Sequence, residues 1–370
     1  MKISILITFL FISCYGCPTT VDPPPENNKA NLRVIWESPI DIIDTPDTPP
    51  LVVDSQILIT GEPALVAFNM NTGNRVWETE IGNGKSINGN VLVHDSINNR
   101  VFAAHNKSVI IWDINTGQEL NRINEIAWPF GNNVMLDNGY GIVGDTASAY
   151  KLDFSGNIIQ EYDVSMPSNS IAYYNGNILF TQGKTLNGAS TIGRVTAISE
   201  ETGDSLWSYN TNNNGFLKSE IHDGIFYSGT SGNSDFYLFI AIDPISGEIL
   251  WEYLSNHPLE YVENFTIGDA NIFVVSAAYL FALNKRTGTK EWVFQWNSAS
   301  RVNPIYSSGY IYISNHYSIF IIDAKSGELV HEEPLPQGAG YFWMFAMSED
   351  MFFAQTSTKL IAYQPWHLRE

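Results

Sequence analysis

Seven histidines are the first residues to test for acid–base or metal chemistry, and their spacing argues against both. His94, His105, His222, His257, His316, His331 and His367 form no His-x-His pair and no His-Glu-x-x-His motif, so no local stretch builds a zinc site. Cys14 and Cys17 are the only thiols, which leaves the rest of the chain without a cysteine nucleophile, a thiolate metal site or a disulfide framework. No Gly-rich phosphate loop occurs, and no Gly-x-Ser-x-Gly elbow follows a strand. Asp and Asn are plentiful, but most lie in turns, where their oxygens cap backbone N–H groups. The expectation is no catalytic residue, no metal and no cofactor.

Binding chemistry is better represented. Trp128, Phe130, Phe216, Tyr261, Trp296, Tyr317, Tyr341 and Trp343 stand among Asn, Ser and Gly residues, with Arg301 a rare positive point. Flat aromatic contact beside adaptable hydrogen-bonding groups suits a peptide or a glycan. These nine residues are the expected partner-binding face. The competing role for any of them is a wedge between sheets.

The elements that would position them are written in turn chemistry. Ile240 to Asp243 is an apolar run ending on Asp, Pro244 to Gly247 is a turn, and Glu248 to Tyr253 is a second run carrying Trp251. That is a β-hairpin: Asp can bond backbone N–H groups ahead of it, and Gly can take positive φ. The pattern recurs around Gly73, Gly117, Gly156, Gly203, Gly288 and Gly327, at spacings of 44, 39, 47, 44, 41 and 39 residues with Gly247 in its place. A period near 40 made of strands marks propeller blades. Asn121, Gln160 and His331 replace the Trp in three copies.

Seven full repeats leave two halves. Leu32 to Ser38 reads as an outgoing Trp strand with no hairpin before it. Leu360 to Tyr363 reads as an incoming strand with none after it, preceded by strands at Phe342 to Met347 and Met351 to Ala354. Joined, they complete an eighth blade and remove an open sheet edge. The fold expected is all-β, an eight-bladed propeller of four-stranded antiparallel blades over residues 32–370, closed by both chain ends. The longest interruption of the repeats is Lys184 to Ile192.

Residues 1–13 read as a signal peptide: Met1-Lys2, then an apolar run too short to span a bilayer. Ser13-Cys14 and Gly16-Cys17 each look like the small-residue–Cys site of bacterial lipoproteins, and Cys14 is the expected lipidation site because it follows the apolar run directly. Residues 14–31, with Pro23-Pro24-Pro25, form a tether. A net charge of −20 argues against nucleic acid and anionic lipid surfaces as partners. Membrane attachment is therefore expected through the lipid alone.

The hairpin with its Asp, Thr-Gly and Trp resembles the tryptophan-docking repeat of pyrroloquinoline-quinone-type β-propellers, over residues 32–366. Within that family the lipobox and the lack of an added domain resemble the lipoproteins of outer-membrane protein assembly. The resemblance implies a monomeric scaffold for an envelope protein or peptide, anchored in the outer membrane and facing the periplasm. The alternatives it leaves are a quinoprotein dehydrogenase on the same fold, or a glycan-binding accessory lipoprotein. The dehydrogenases hold their quinone over an axial Ca²⁺, commonly beneath a vicinal disulfide, which this chain lacks.

Overall fold

Most repeat hairpins close on an acidic or amide side chain, and the blade 4 hairpin closes on the Ser199 hydroxyl. Asp243 Oδ1 accepts from the N–H groups of Ile245 (2.9 Å) and Ser246 (2.8 Å), and the Gly247 N–H returns to the Asp243 carbonyl. Asp113 and Asp323 do the same, and so do Asn69 and Asn284 with their amide oxygens. The turn therefore needs an acceptor at this position more than it needs a charge.

The structure is a computed structural model describing residues 31–369 apart from 41–47, 62–63, 82–91, 106–107, 125–132, 136–138, 145–147, 154, 156, 167, 187–189, 213–214, 232–236, 256–261 and 298–301. Leu32–Glu370 is one compact unit of eight four-stranded antiparallel sheets. Blade 1 starts at Leu51, blades 2 to 7 follow in chain order, and blade 5 shows the pattern: Gly215–His222, Ile225–Ser231, Tyr237–Ile242 and Ile249–Ser255. The third strand of blade 5 is buried throughout, between neighbouring blades, whereas its fourth alternates and lies on the perimeter. Eight apolar clusters line the blades and their seams.

Blade 8 is closed by the two chain ends. Val34–Pro39 pairs antiparallel with Lys359–Tyr363, with Trp36 opposite Ala362 and Ser38 opposite Leu360. Leu32 is anchored further, its N–H donating to Glu333 Oε2 of blade 7 at 2.6 Å.

The tryptophans dock across seams. In five of them an indole N–H reaches the carbonyl three residues before the hairpin glycine of the next blade: Trp36 to Met70, Trp77 to Ile114, Trp207 to Pro244, Trp251 to Lys285 and Trp292 to Ala324, at 2.8 to 3.3 Å. Gly117 and Gly288 have φ of +70° and +69°, and a Cβ on either would overlap the incoming indole. Glycine is thus required twice over, for backbone and for space. Where Gln160 stands in place of Trp, Tyr162 makes the equivalent bond, its hydroxyl donating to the Glu200 carbonyl at 2.8 Å.

The residues described within Lys184 to Ile192 extend blade 4 rather than interrupt it. Its second and third strands, Asn177–Leu186 and Ser190–Ser199, stay paired to Leu186 opposite Ser190. Gly183 lets the extension pack on Gly215 of blade 5.

Strand order fixes two ends. Loops leading into first strands share one end of the propeller with loops between second and third strands. The glycine hairpins lie at the other end.

Candidate functional site

At the first of these ends, two exposed tyrosines meet on blades 7 and 8. Tyr317 (57% exposed) lies between the second and third strands of blade 7, and Tyr341 (49%) leads into blade 8. Their ring centroids are 5.7 Å apart at 67°, edge to face, and His316 meets Tyr341 at 6.4 Å and 82°. Aromatic pairs favour this geometry.

The loops that carry them are held from within. Asn315 Oδ1 accepts from the N–H groups of Tyr317 and Ser318, and the His316 N–H donates to Ser314 Oγ. The Leu335 N–H donates to the Tyr317 carbonyl at 2.7 Å, which fixes the connection from blade 7 to blade 8. Thr358 Oγ1 donates to the Gly338 carbonyl and Ser357 Oγ to that of Ala339, while the Tyr341 N–H donates to Ser357 Oγ. The Phe342 N–H donates to the His316 carbonyl at 2.9 Å, tying one tyrosine loop to the other. Gly340, with φ of +79°, turns the chain against Ser357 where a Cβ has no room. Two rigid aromatic rings on a braced base lose little freedom when a partner covers them.

The structure sorts the nine residues expected on the face. Tyr317 and Tyr341 are brought together, with half-buried Trp343 two residues on. Phe216 and Trp296 are corrected to the core. Phe216 is 0% exposed in the cluster between blades 4 and 5, and its ring meets Tyr209 at 6.1 Å. Trp296 is 6% exposed against Phe294 and Phe320, between blades 6 and 7. An aromatic next to a perimeter strand is drawn into the seam because that buries its whole ring. Trp128, Phe130, Tyr261 and Arg301 lie outside the described residues, as do Cys14 and Cys17. Sequence reading missed the brace: Gly338, Gly340, Ser357 and Thr358. The Gly-Ala-Gly run before Tyr341 was the available signal.

The axis is where a quinone would sit in this fold class. Several polar side chains on the described inner strands or their entries are committed to neighbouring strands, although His94 Nε2 on the first strand of blade 2 is buried without a hydrogen-bond partner. Asn169 Nδ2 donates to the Phe216 carbonyl, and Asn303 bonds both the N–H and the carbonyl of Phe345. Lys218 Nζ donates to Asn264 Oδ1 (3.0 Å) and the Phe265 carbonyl (2.9 Å). Desolvation of that ammonium lowers its pKa, and nearby Glu220 partly opposes the shift. An open depression of about 570 Å³ beside blades 1, 7 and 8 is lined by Val52, Ile305, Phe345 and Met347, with Asn303, Tyr306, Ser307, Ser348 and Glu349 its polar side chains and Glu349 its single carboxylate. Among the described residues no three His, Cys, Asp or Glu side chains gather to hold an ion.

The family model of the outer membrane protein assembly factor BamB matches residues 28–154 and 191–341. No curated protein sequence matches the chain. Among solved structures, BamB from Moraxella catarrhalis superposes with a TM-score of 0.67 at 14% identity, over 92% of this chain and 100% of that one. The computationally designed Ika8 protein gives 0.72 at 12% identity, over 90% and 100%. A quinohemoprotein alcohol dehydrogenase from Comamonas testosteroni gives 0.69 at 11%, over 90% and 76%. At these identities the superpositions establish a shared fold, common to an assembly factor, a design and an enzyme.

Proposed function

We propose, from the premise that the chain belongs to the family of the outer membrane protein assembly factor BamB, that it is a non-catalytic scaffold in the cell envelope. Lipidated at Cys14 after removal of residues 1–13, it is tethered to the outer membrane and captures an envelope protein on its Tyr317–Tyr341 face. The observation that carries this reading is the braced, exposed tyrosine pair at the end of the propeller formed by the loops into first strands. Fully stretched, the 18 residues from 14 to 31 reach about 60 Å.

A photo-crosslinker placed at Tyr341 in the native envelope tests it. Capture of one envelope protein, abolished by Tyr317→Ala with Tyr341→Ala, is the expected result; a glycan-containing adduct instead would turn the reading to carbohydrate. Mass spectrometry of the mature N-terminus checks the lipid on Cys14, and an unmodified terminus beyond Cys17 removes the anchor. The enzymatic alternative rests on the fold shared with quinohemoprotein alcohol dehydrogenases. Dye-linked alcohol or sugar oxidation after reconstitution with pyrroloquinoline quinone and Ca²⁺ would establish that alternative in place of the scaffold.

A further inference from the structure

The perimeter strand of blade 4, Ser205–Asn212, differs from its seven counterparts in two ways. It is eight residues long where the others have six or seven. It also carries no Asp, Glu, Lys or Arg, whereas each of the others carries at least one. At the residue after the docking position, Glu37, Glu78, Glu161, Glu252 and Glu332 stand exposed in five blades, and Arg122 occupies it in blade 2. Blade 4 has Ser208 there and blade 6 Val293, but blade 6 keeps Lys290 and Glu291 on the same strand, so blade 4 alone has no charge along it.

A perimeter strand presents an unpaired row of N–H and C=O groups, and charged side chains are a common guard against a foreign strand pairing there. Blade 4 lacks the guard where its ladder runs furthest, from Ser205 opposite Ile198 to Asn212 opposite Ile192. Leu206 is 47% exposed, with Ser208 and Asn210 exposed beyond it on the same face. Tyr209, on the other face, is pinned by its hydroxyl to Glu252 of blade 5 at 2.7 Å.

We infer that the edge Ser205–Asn212 is a docking site for an extended, uncharged or basic strand of another polypeptide, which adds to blade 4 as a fifth strand. A second copy of this chain is the less favoured occupant, because pairing would bring together two bodies of net charge −20. The site is separate from the tyrosine face and does not depend on it.

The test uses the full propeller and a biotinylated peptide of eight alternating Thr and Val residues flanked by single lysines. Saturable binding is expected, with amide hydrogen exchange slowed in 205–212. Ser208→Glu, which restores the guard, should weaken binding at least tenfold at unchanged melting temperature. Ser208→Thr should leave it unchanged, as should Val293→Glu on blade 6 and the double alanine variant of Tyr317 and Tyr341. Absence of binding, equal binding by Ser208→Glu or protection on another strand overturns the inference. So does a dimer of the protein that Ser208→Glu dissolves.

Discussion

The imidazole of His331 lies on the indole of Trp366, with ring centroids 4.8 Å apart and planes 21° from parallel. This contact stands at the one seam whose receiving blade has no hairpin glycine. Blade 8 takes its third and fourth strands from opposite ends of the chain, so no hairpin glycine joins them. The short C-terminal turn Trp366–Leu368 supplies the ring instead, and the Trp366 N–H donates to the Tyr312 hydroxyl at 2.8 Å. His331 also bonds Glu333, whose Oε2 accepts the Leu32 N–H. Both chain ends are thus clasped to one strand of blade 7.

Removing the ring should therefore loosen the closure. Trp366→Ala is expected to lower stability by about 3 kcal/mol, as burial of a large aromatic is lost. Trp366→Phe should recover most of that, because it still stacks. Urea denaturation of the three proteins measures it, and equal midpoints for wild type and Trp366→Ala would refute the clasp.

The repeated docks make a second expectation. Trp251→Phe keeps an aromatic ring but leaves the Lys285 carbonyl without its indole donor, at a cost of about 1 kcal/mol. Gly288→Ala should cost more, since it adds strain at φ of +69° to overlap with the Trp251 ring. Denaturant midpoints that rank the two variants the other way would contradict a dock limited by the glycine.

Why so much of this was legible follows from where the information sits. Asp243, Gly247 and Trp251 fall within nine consecutive residues, and their repetition gives blade number and closure without any long-range knowledge. Tyr162, two residues past Gln160, rescues a seam that the repeat pattern leaves open, because a phenol there reaches the same carbonyl as an indole. The binding face was only half legible. Phe216 and Tyr341 both precede or open an inner strand, yet one is buried and the other exposed. Which way each ring turns depends on neighbouring loops such as Gly338 to Gly340, and no local pattern encodes that contact. The long ladder beyond Lys184 was hidden for a related reason: polar strands outside a core lack the apolar alternation that marks a strand.

Acid should act partly through the hairpin turns. The Ser246 N–H and its companions hold the Asp243 carboxyl below its usual pKa, and Ser326 does the same for Asp323. A depressed folded-state pKa gives stability that is present above the unfolded value, about 3.9, and is lost as pH falls through the folded one. Asn69 and Asn284 show that an amide oxygen can close the same turn. Asp243→Asn with Asp323→Asn should therefore fold normally at neutral pH and show a shallower fall in melting temperature below about pH 4. Parallel acid slopes for variant and wild type would show that these turns do not contribute.

The tyrosine face and the neighbouring seam make opposite demands on substitution, which separates binding from packing. Tyr317 and Tyr341 each expose about half their surface, and the backbone beneath them is held by Asn315, Ser357 and Thr358 rather than by the rings. Their replacement by alanine should leave the melting temperature nearly unchanged while costing on the order of 2 kcal/mol or more in partner affinity. Trp296 is the reverse case. Its ring fills the seam of blades 6 and 7, so Trp296→Ala should cost about 3 to 5 kcal/mol of stability and weaken capture only in step with that loss. The indole nitrogen of Trp296 has no hydrogen-bond partner, so Trp296→Phe removes an unpaired buried donor and should be far milder than alanine. Thermal melts and pull-downs on the same four proteins decide the matter. A large loss of melting temperature in the tyrosine variant, or a loss of capture by Trp296→Phe at full stability, would reassign which rings face the partner.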